Sequence, residues 1–304
     1  MTTSEEKGSK KRTREAIKEE EIVDSKALSQ EFIEAHTPEF IEGCKFILEK
    51  DPSLFDVLTS GNFINFEIDK KGDEITDTEM RVENFFHRLT FVIIAQQISN
   101  KASLSIKQKY LDIFDNEKPT IKTVYERFHG EDGNEFKSQI RAAGFSGRKL
   151  SYFESLTDYF FEKKTEIENL FFINKADDDI IIDHLVTNIK GIGPWSAKMF
   201  LTMDLKRPNV FAADDLGVAR GCSLYFERRP DILKDLTSKR TQKIKSKFNK
   251  AKRPTFKVYD HDLVESCGEL FAPHRTVFMY LLWRLSSTRV DAMTKKRIRI
   301  DPIY

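Results

Sequence analysis

Two short stretches of the chain hold residues whose types and spacing can do chemistry. In residues 186–203, VTNIKGIGPWSAKMFLTM, one apolar-faced helix ends at Lys190, Gly191-Ile192-Gly193 makes a tight turn, and Pro194 starts the next helix. Proline suits that first helical position, because its missing N–H would have had no partner there. Glycines permit a positive φ and leave backbone N–H groups uncovered, so a phosphate can lie against the turn and the positive end of the second helix. In residues 211–221, FAADDLGVARG, Asp214 and Asp215 stand before a helix start, with Asp215 twenty positions past Trp195. A fixed carboxylate can stabilise a developing positive charge or orient and deprotonate water. Taken alone, an Asp-Asp pair before a helix is a routine cap.

The elements that must position these residues are mostly helical. Apolar residues recur at helical spacing from Ser29, as in Phe32, Ile33, Phe40, Ile41, Cys44, Ile47 and Leu48, up to the Asp51-Pro52 breaker. Further helices are expected over 83–94, 103–114, 121–128, 136–143, 148–161, 180–189, 194–205 and 274–285, joined by short polar segments. Ile64, Phe66 and Ile68 alternate with Asn65 and Glu67 after Gly61-Asn62, which predicts one short, half-buried strand. Residues 1–26 are polar, mixed in charge and without aromatics, a composition expected to stay disordered.

Bulk properties exclude several classes. A chain of 304 residues, 39% hydrophobic, can bury a substantial core, and 50 basic against 49 acidic residues leave a net charge of +1. Affinity for a polyanion must therefore come from local asymmetry. One region supplies it: Lys239, Arg240, Lys243, Lys245, Lys247, Lys250, Lys252 and Arg253 fall within fifteen residues that contain no acid. This segment reads as an exposed insertion, either a solvated loop or a phosphate-attracting one. Cys44, Cys222 and Cys267 are too few and too scattered for a disulfide framework or a thiolate metal centre, and the six histidines lack metal-ligand spacing. The start of the chain lacks the apolar core of a signal peptide, and the longest pure apolar run, 277–283, is far short of a membrane span. Lys10, Lys11, Arg12 and Arg14 form a basic cluster that fits either a nuclear import signal or a solvated tail.

Hairpin, spacer and trailing Asp together resemble the helix-hairpin-helix glycosylase superfamily, and within it the AlkA-like 3-methyladenine DNA glycosylases of fungal type. The similarity extends to AQQIS at 95–99, GFSGRK at 144–149 and APHRTVFMYLLWR at 272–284, in the family's order. Joint matches of this kind are much more specific than one short motif. The resemblance implies a mainly α, two-lobed helix-hairpin-helix glycosylase fold with its active site in the cleft between lobes. The expected organisation is a tail at 1–26, a helical segment at 27–81 packing with the C-terminal lobe, a central helical lobe at 82–189, and 190–304 carrying the hairpin turn, the Asp helix, the basic insertion at 239–253 and the last helices.

The implied activity is that of a monofunctional DNA-3-methyladenine glycosylase, which hydrolyses the N-glycosidic bond of alkylated purines flipped out of duplex DNA and leaves an abasic site. By position, Asp215 resembles the catalytic Asp and Asp214 a cap or neighbour. Trp195 and Trp283 resemble pocket aromatics suited to electron-poor alkylated bases, and Met199 stands where some relatives place an aromatic. Gly191, Ile192 and Gly193 resemble the phosphate grip. Gln96, Gln97 and Ser99 resemble the wedge that fills the gap left by the flipped base, and Lys149 is expected to contact DNA. Bifunctional relatives carry a Schiff-base lysine where this chain has Trp195, and Lys198 does not match that place. Trp195 at that place disfavours a bifunctional lyase, and intact Asp215 with both tryptophans disfavours a catalytically dead DNA-binding module. The expected partner is double-stranded DNA with alkylated bases, bound by a monomer without membrane, metal or cofactor, in the nucleus.

Overall fold

The computed structural model describes residues 27–68, 77–173, 176–250 and 256–286. The tail expected over 1–26, its basic cluster, and Lys252 and Arg253 lie outside them. Among the described residues the chain forms fifteen α-helices and no β-strand. They are α1 (Gln30–Ala35), α2 (Pro38–Lys50), α3 (Phe55–Thr59), α4 (Thr78–Ala95), α5 (Asn100–Asp112), α6 (Ile121–His129), α7 (Gly133–Ala142), α8 (Gly147–Glu162) and α9 (Lys164–Glu168). After these come α10 (Asp178–Asn188), α11 (Pro194–Met203), α12 (Leu216–Arg228), α13 (Pro230–Ser238), α14 (His261–Glu269) and α15 (Arg275–Leu285). The described residues divide into two compact units, one joining those up to 68 with those from 217 onward, the other built from those between 77 and 216.

The first unit is organised around α15, on which every residue from Thr276 to Trp283 is buried. Gly221 of α12 lets the two backbones meet: a Cβ there would lie 2.1 Å from the Leu282 carbonyl oxygen. Arg284, at the end of α15, donates to the carbonyls of Val57, Leu58, Gly61 and Asn62 and covers the Phe63 ring at 3.6 Å, which fixes the turn after α3. Asp51, 2% exposed, accepts from Tyr225 at 2.7 Å, from Ser53 and from the Arg229 guanidinium at 2.6 Å, so this buried charge is fully engaged.

The strand expected at 64–68 is absent. Ile64–Phe66 forms a 3₁₀ turn, and one isolated bridge joins His36 to Glu67. Of the alternating apolar residues only Phe66 is buried, while Ile64 and Ile68 are 38% and 42% exposed. Phe63 and Phe66 pack on Phe40 instead, the latter stacked at 4.5 Å, and that aromatic burial outweighs a period-2 pattern with no partner strand to pair with.

In the second unit α4 buries Val82, Phe85, Phe86, Leu89 and Ile93, an apolar stripe at helical spacing. It packs against α8, whose Phe153 contacts Phe86, Tyr110, Phe128 and Phe145 at ring distances of 5.4 to 6.1 Å. Full burial of each such ring contributes roughly 2–3 kcal/mol. Side-chain caps at Asp77, Ser99, Thr120 and Ser146 start α4, α5, α6 and α8 by accepting from the third N–H onward.

Two outcomes follow from this packing. Gly221→Ala is expected to lower the urea-unfolding free energy by about 2 kcal/mol or more, because α12 and α15 must part. His87, 3% exposed, is held down to about 4 by burial and then by the charge of Lys118. A histidine with a lowered folded value stabilises the fold above about 6.5, and this contribution drains away as pH falls from there to about 4. Asp204, pushed up to about 6 by burial against the pull of Arg88, acts with the opposite sign over that window. The measurable quantity is thus a difference: His87→Gln should reduce the stability gained between about pH 4 and 6.5 by roughly 3 kcal/mol relative to the unaltered chain in pH-dependent denaturant melts.

Candidate active site

The hairpin forms as the glycines require. Helix α10 is capped by Ile189, Gly191 takes φ +81°, and Gly193 precedes α11 in an extended conformation with Pro194 at the first helical position. Gly191 is needed twice over, since a Cβ there would also sit 2.2 Å from the Tyr152 ring of α8. The Lys190 N–H donates to the Ser155 hydroxyl at 3.1 Å and the Ile192 N–H to the Ile189 carbonyl at 3.2 Å, which ties the turn to α8. Ile192, 3% exposed, belongs to the core. The N–H groups of Gly191 and Gly193 have no hydrogen-bond partner among the described residues, and no side chain caps α11. Such a helix start favours an anion.

Trp195, in the first turn of α11, is 39% exposed, an unusual position for an indole. Its Nε1–H donates to Asp215 Oδ2 at 3.0 Å. The buried run Phe211, Ala212 and Ala213 carries the chain to that point, and the Asp215 N–H donates to the Ala212 carbonyl at 2.9 Å. Asp215 is half-buried and directly precedes α12, near the positive end of that helix. Met199 lies one turn past Trp195, buried; Asp214 is half-buried beside the aspartate. Trp283 belongs to the first unit, 2% exposed, with its ring edge-on to Tyr280 at 5.0 Å.

The AQQIS segment follows the end of α4. Gln96 caps that helix and sends its side-chain amide to the Gly191 carbonyl at 2.9 Å. Lys149 donates from Nζ to the Ile94 carbonyl at 2.6 Å, and burial lowers the basicity of its amine. Ser99 accepts from the Ala102 N–H as the cap of α5. Gln97, exposed and at φ +59°, and Ile98, 37% exposed, form the tip. Gly191, Ile192, Gly193, Trp195, Met199, Asp215, Gln96, Gln97, Ser99 and Lys149 therefore share one unit. Sequence reasoning missed Tyr152, Ser155 and Ile98. Of these only Ile98 carried a local signal, an apolar residue among polar ones.

The basic segment is partly consumed by structure. Arg240 forms a two-pronged pair with Asp262, at 2.5 and 2.7 Å, and bonds Asp260 at 2.8 Å, while Lys239 pairs with Asp235. Arg240 thus anchors the segment and is not a free phosphate contact; Lys243 and Lys245 are exposed.

The fold is similar to two solved structures: a DNA-3-methyladenine glycosidase of Bacillus halodurans, with a TM-score of 0.53 and 24% identity over 83% of this chain and 90% of that one, and a 3-methyladenine DNA glycosylase of Schizosaccharomyces pombe in complex with abasic DNA, with a TM-score of 0.50 and 23% identity over 85% of this chain and all of that one. Mainly α, with a glycine hairpin, the molecule has the helix-hairpin-helix glycosylase fold. Among curated proteins, the DNA-3-methyladenine glycosylase of Saccharomyces cerevisiae is 44% identical over 269 residues, 88% of this chain and 87% of that protein. The DNA-3-methyladenine glycosylase 1 of Schizosaccharomyces pombe is 28% identical over 220 residues, 71% and 78% of the two chains. No family model matches the sequence. The 44% identity over most of both chains is decisive: this chain belongs to the DNA-3-methyladenine glycosylase family.

The two hairpin glycines make a matched pair for testing. Gly193→Ala meets nothing within 4 Å at an ordinary φ of −100° and should change stability by less than about 0.5 kcal/mol. Gly191→Ala must take φ +81° and displace Tyr152, so a loss of at least about 2 kcal/mol in urea melts is expected.

Proposed function

We propose that this chain, as a DNA-3-methyladenine glycosylase, hydrolyses the N-glycosidic bond of an alkylated purine flipped out of duplex DNA, with Asp215 as catalytic carboxylate and water as nucleophile. The observation that carries this reading is the 3.0 Å contact between the Trp195 indole N–H and Asp215 Oδ2. It holds a negative charge at the rim of an exposed aromatic face.

An N-alkylated purine is electron-poor and often cationic, so it stacks on an indole with cation–π attraction that a normal base lacks. As the bond from C1′ to the base nitrogen breaks, its electron pair leaves with the base and positive charge builds on the sugar. The Asp215 carboxylate stabilises that charge without reorganisation and then accepts the proton of the water that adds at C1′. The product is an abasic site, the first intermediate of base excision repair. No lysine occupies the Trp195 position, and this supports a monofunctional reaction; failure of borohydride to trap a covalent DNA adduct would agree. Trp283 and Met199 enter as further pocket residues on the resemblance alone.

The turn of Gly191, Ile192 and Gly193 is suited to grip a DNA phosphate through the N–H groups of its two glycines, that of Ile192 being engaged by the Ile189 carbonyl. Among Gln96, Gln97, Ser99 and the exposed Ile98, the tip residues Gln97 and Ile98 are best suited to fill the gap left by the flipped base, since Gln96 and Ser99 already hold backbone groups. Lys149 likewise supports the loop from behind, through the Ile94 carbonyl. Double-stranded DNA as partner, action as a monomer and nuclear residence complete the proposal. No helix among the described residues is long and apolar enough to cross a membrane.

Asp215→Asn keeps the shape and an acceptor for the indole N–H but removes the charge. Base release from methylated duplex is expected to fall at least about a hundredfold, with DNA affinity within a few-fold of the unaltered chain. Full retention of turnover in that assay would end the assignment of Asp215.

A further inference from the structure

We infer that Gln96 is a positioning residue, a strut that makes the phosphate-gripping turn and the gap-filling loop move as one body. The inference rests on the roles proposed above for those two segments, and it deepens them.

The chain leaves α4 abruptly. Ala95 is the last helical residue, Gln96 swings to ψ 128°, and Gln97 takes φ +59°, a left-handed conformation that side chains rarely adopt unless their surroundings hold them there. What holds the exit is visible on both sides. Lys149 Nζ donates to the Ile94 carbonyl at 2.6 Å, satisfying an orphan acceptor of the last helical turn. Gln96 Nε2 donates to the Gly191 carbonyl at 2.9 Å, a contact that spans 95 positions of sequence.

The Gly191 carbonyl is an informative target. It belongs to the peptide unit whose other end is the Ile192 N–H, itself bonded to the Ile189 carbonyl. With both ends held, that peptide plane cannot rotate, and for a given φ and ψ at Ile192 its orientation sets the direction in which the next N–H, that of Gly193, points. The glutamine amide therefore fixes the aim of the proposed phosphate donors at one end. At the other, its own backbone begins the turn that presents Gln97 and Ile98. Its amide is committed to this bond and is not a gap filler. Seating a backbone phosphate on the hairpin should then drive the tip into the duplex in the same step, so the strut matters most when a paired base has to be forced out.

The test uses the full chain, with single-turnover base release from a duplex holding one 7-methylguanine opposite cytosine and from the same strand with the lesion opposite a tetrahydrofuran abasic analogue. Gln96→Leu keeps the bulk and loses the donor. Its rate should fall about tenfold on the paired lesion, the worth of one hydrogen bond, and no more than about twofold on the unpaired one. Gln96→Lys, a donor of similar reach, should restore most of the paired rate. Equal losses on both substrates, accompanied by a lowered melting temperature, would mean a merely structural role and overturn the inference. So would an unchanged rate for Gln96→Leu on the paired lesion. The proposed function fails separately: Asp215→Asn would then retain activity on the unpaired lesion, where the strut has little to contribute.

Discussion

The ring of Tyr152 lies directly over the α-carbon of Gly191, and no side chain fits between them. That contact seats the hairpin on α8, the helix whose Phe153 joins the aromatic centre of its unit. From the seated turn the first residues of α11 project outward, and Trp195 among them reaches Asp215. The site is thus built outward from a packed core: the rings fix α8, α8 fixes the turn, and the turn fixes the indole. A residue with a β-carbon at 191 would disturb each later step.

Carboxylates serve structure in both units, as Asp204 does with Arg88 in the second. In the first, Asp51 is spent on Tyr225, Ser53 and Arg229, and Asp262 on Arg240. Asp215, in the second, is half-exposed and accepts a hydrogen bond from the Trp195 indole.

The hairpin was legible in the sequence because its physics is local. Gly-x-Gly-Pro between two apolar-faced segments specifies a turn, a helix start and their order, and the structure has them at those residues. The helices expected between 83 and 205 also occur, with ends displaced by a few residues where Asp77 and Ser99 cap earlier than the apolar pattern begins. Period alone misled at Ile64–Ile68, where three apolar residues fit a strand but aromatic packing on Phe40 set the backbone. The contacts of Gln96 and Lys149 were beyond reach for another reason: they join residues 95 and 55 positions apart, and nothing in AQQIS or GFSGRK indicates which backbone oxygen a side chain will find. Arg240 looked like one more member of a basic run until its two aspartate partners, twenty and twenty-two positions on, came into view.

The chain holds two tryptophans, one 39% exposed beside Asp215 and the other 2% exposed in a helix of the first unit. Their emission must therefore separate by colour and by access to quenchers, since water relaxes the excited indole of the outer ring and hardly reaches the inner one. The molecule in this way carries two optical reporters of different environment, one in each unit, with no label to attach.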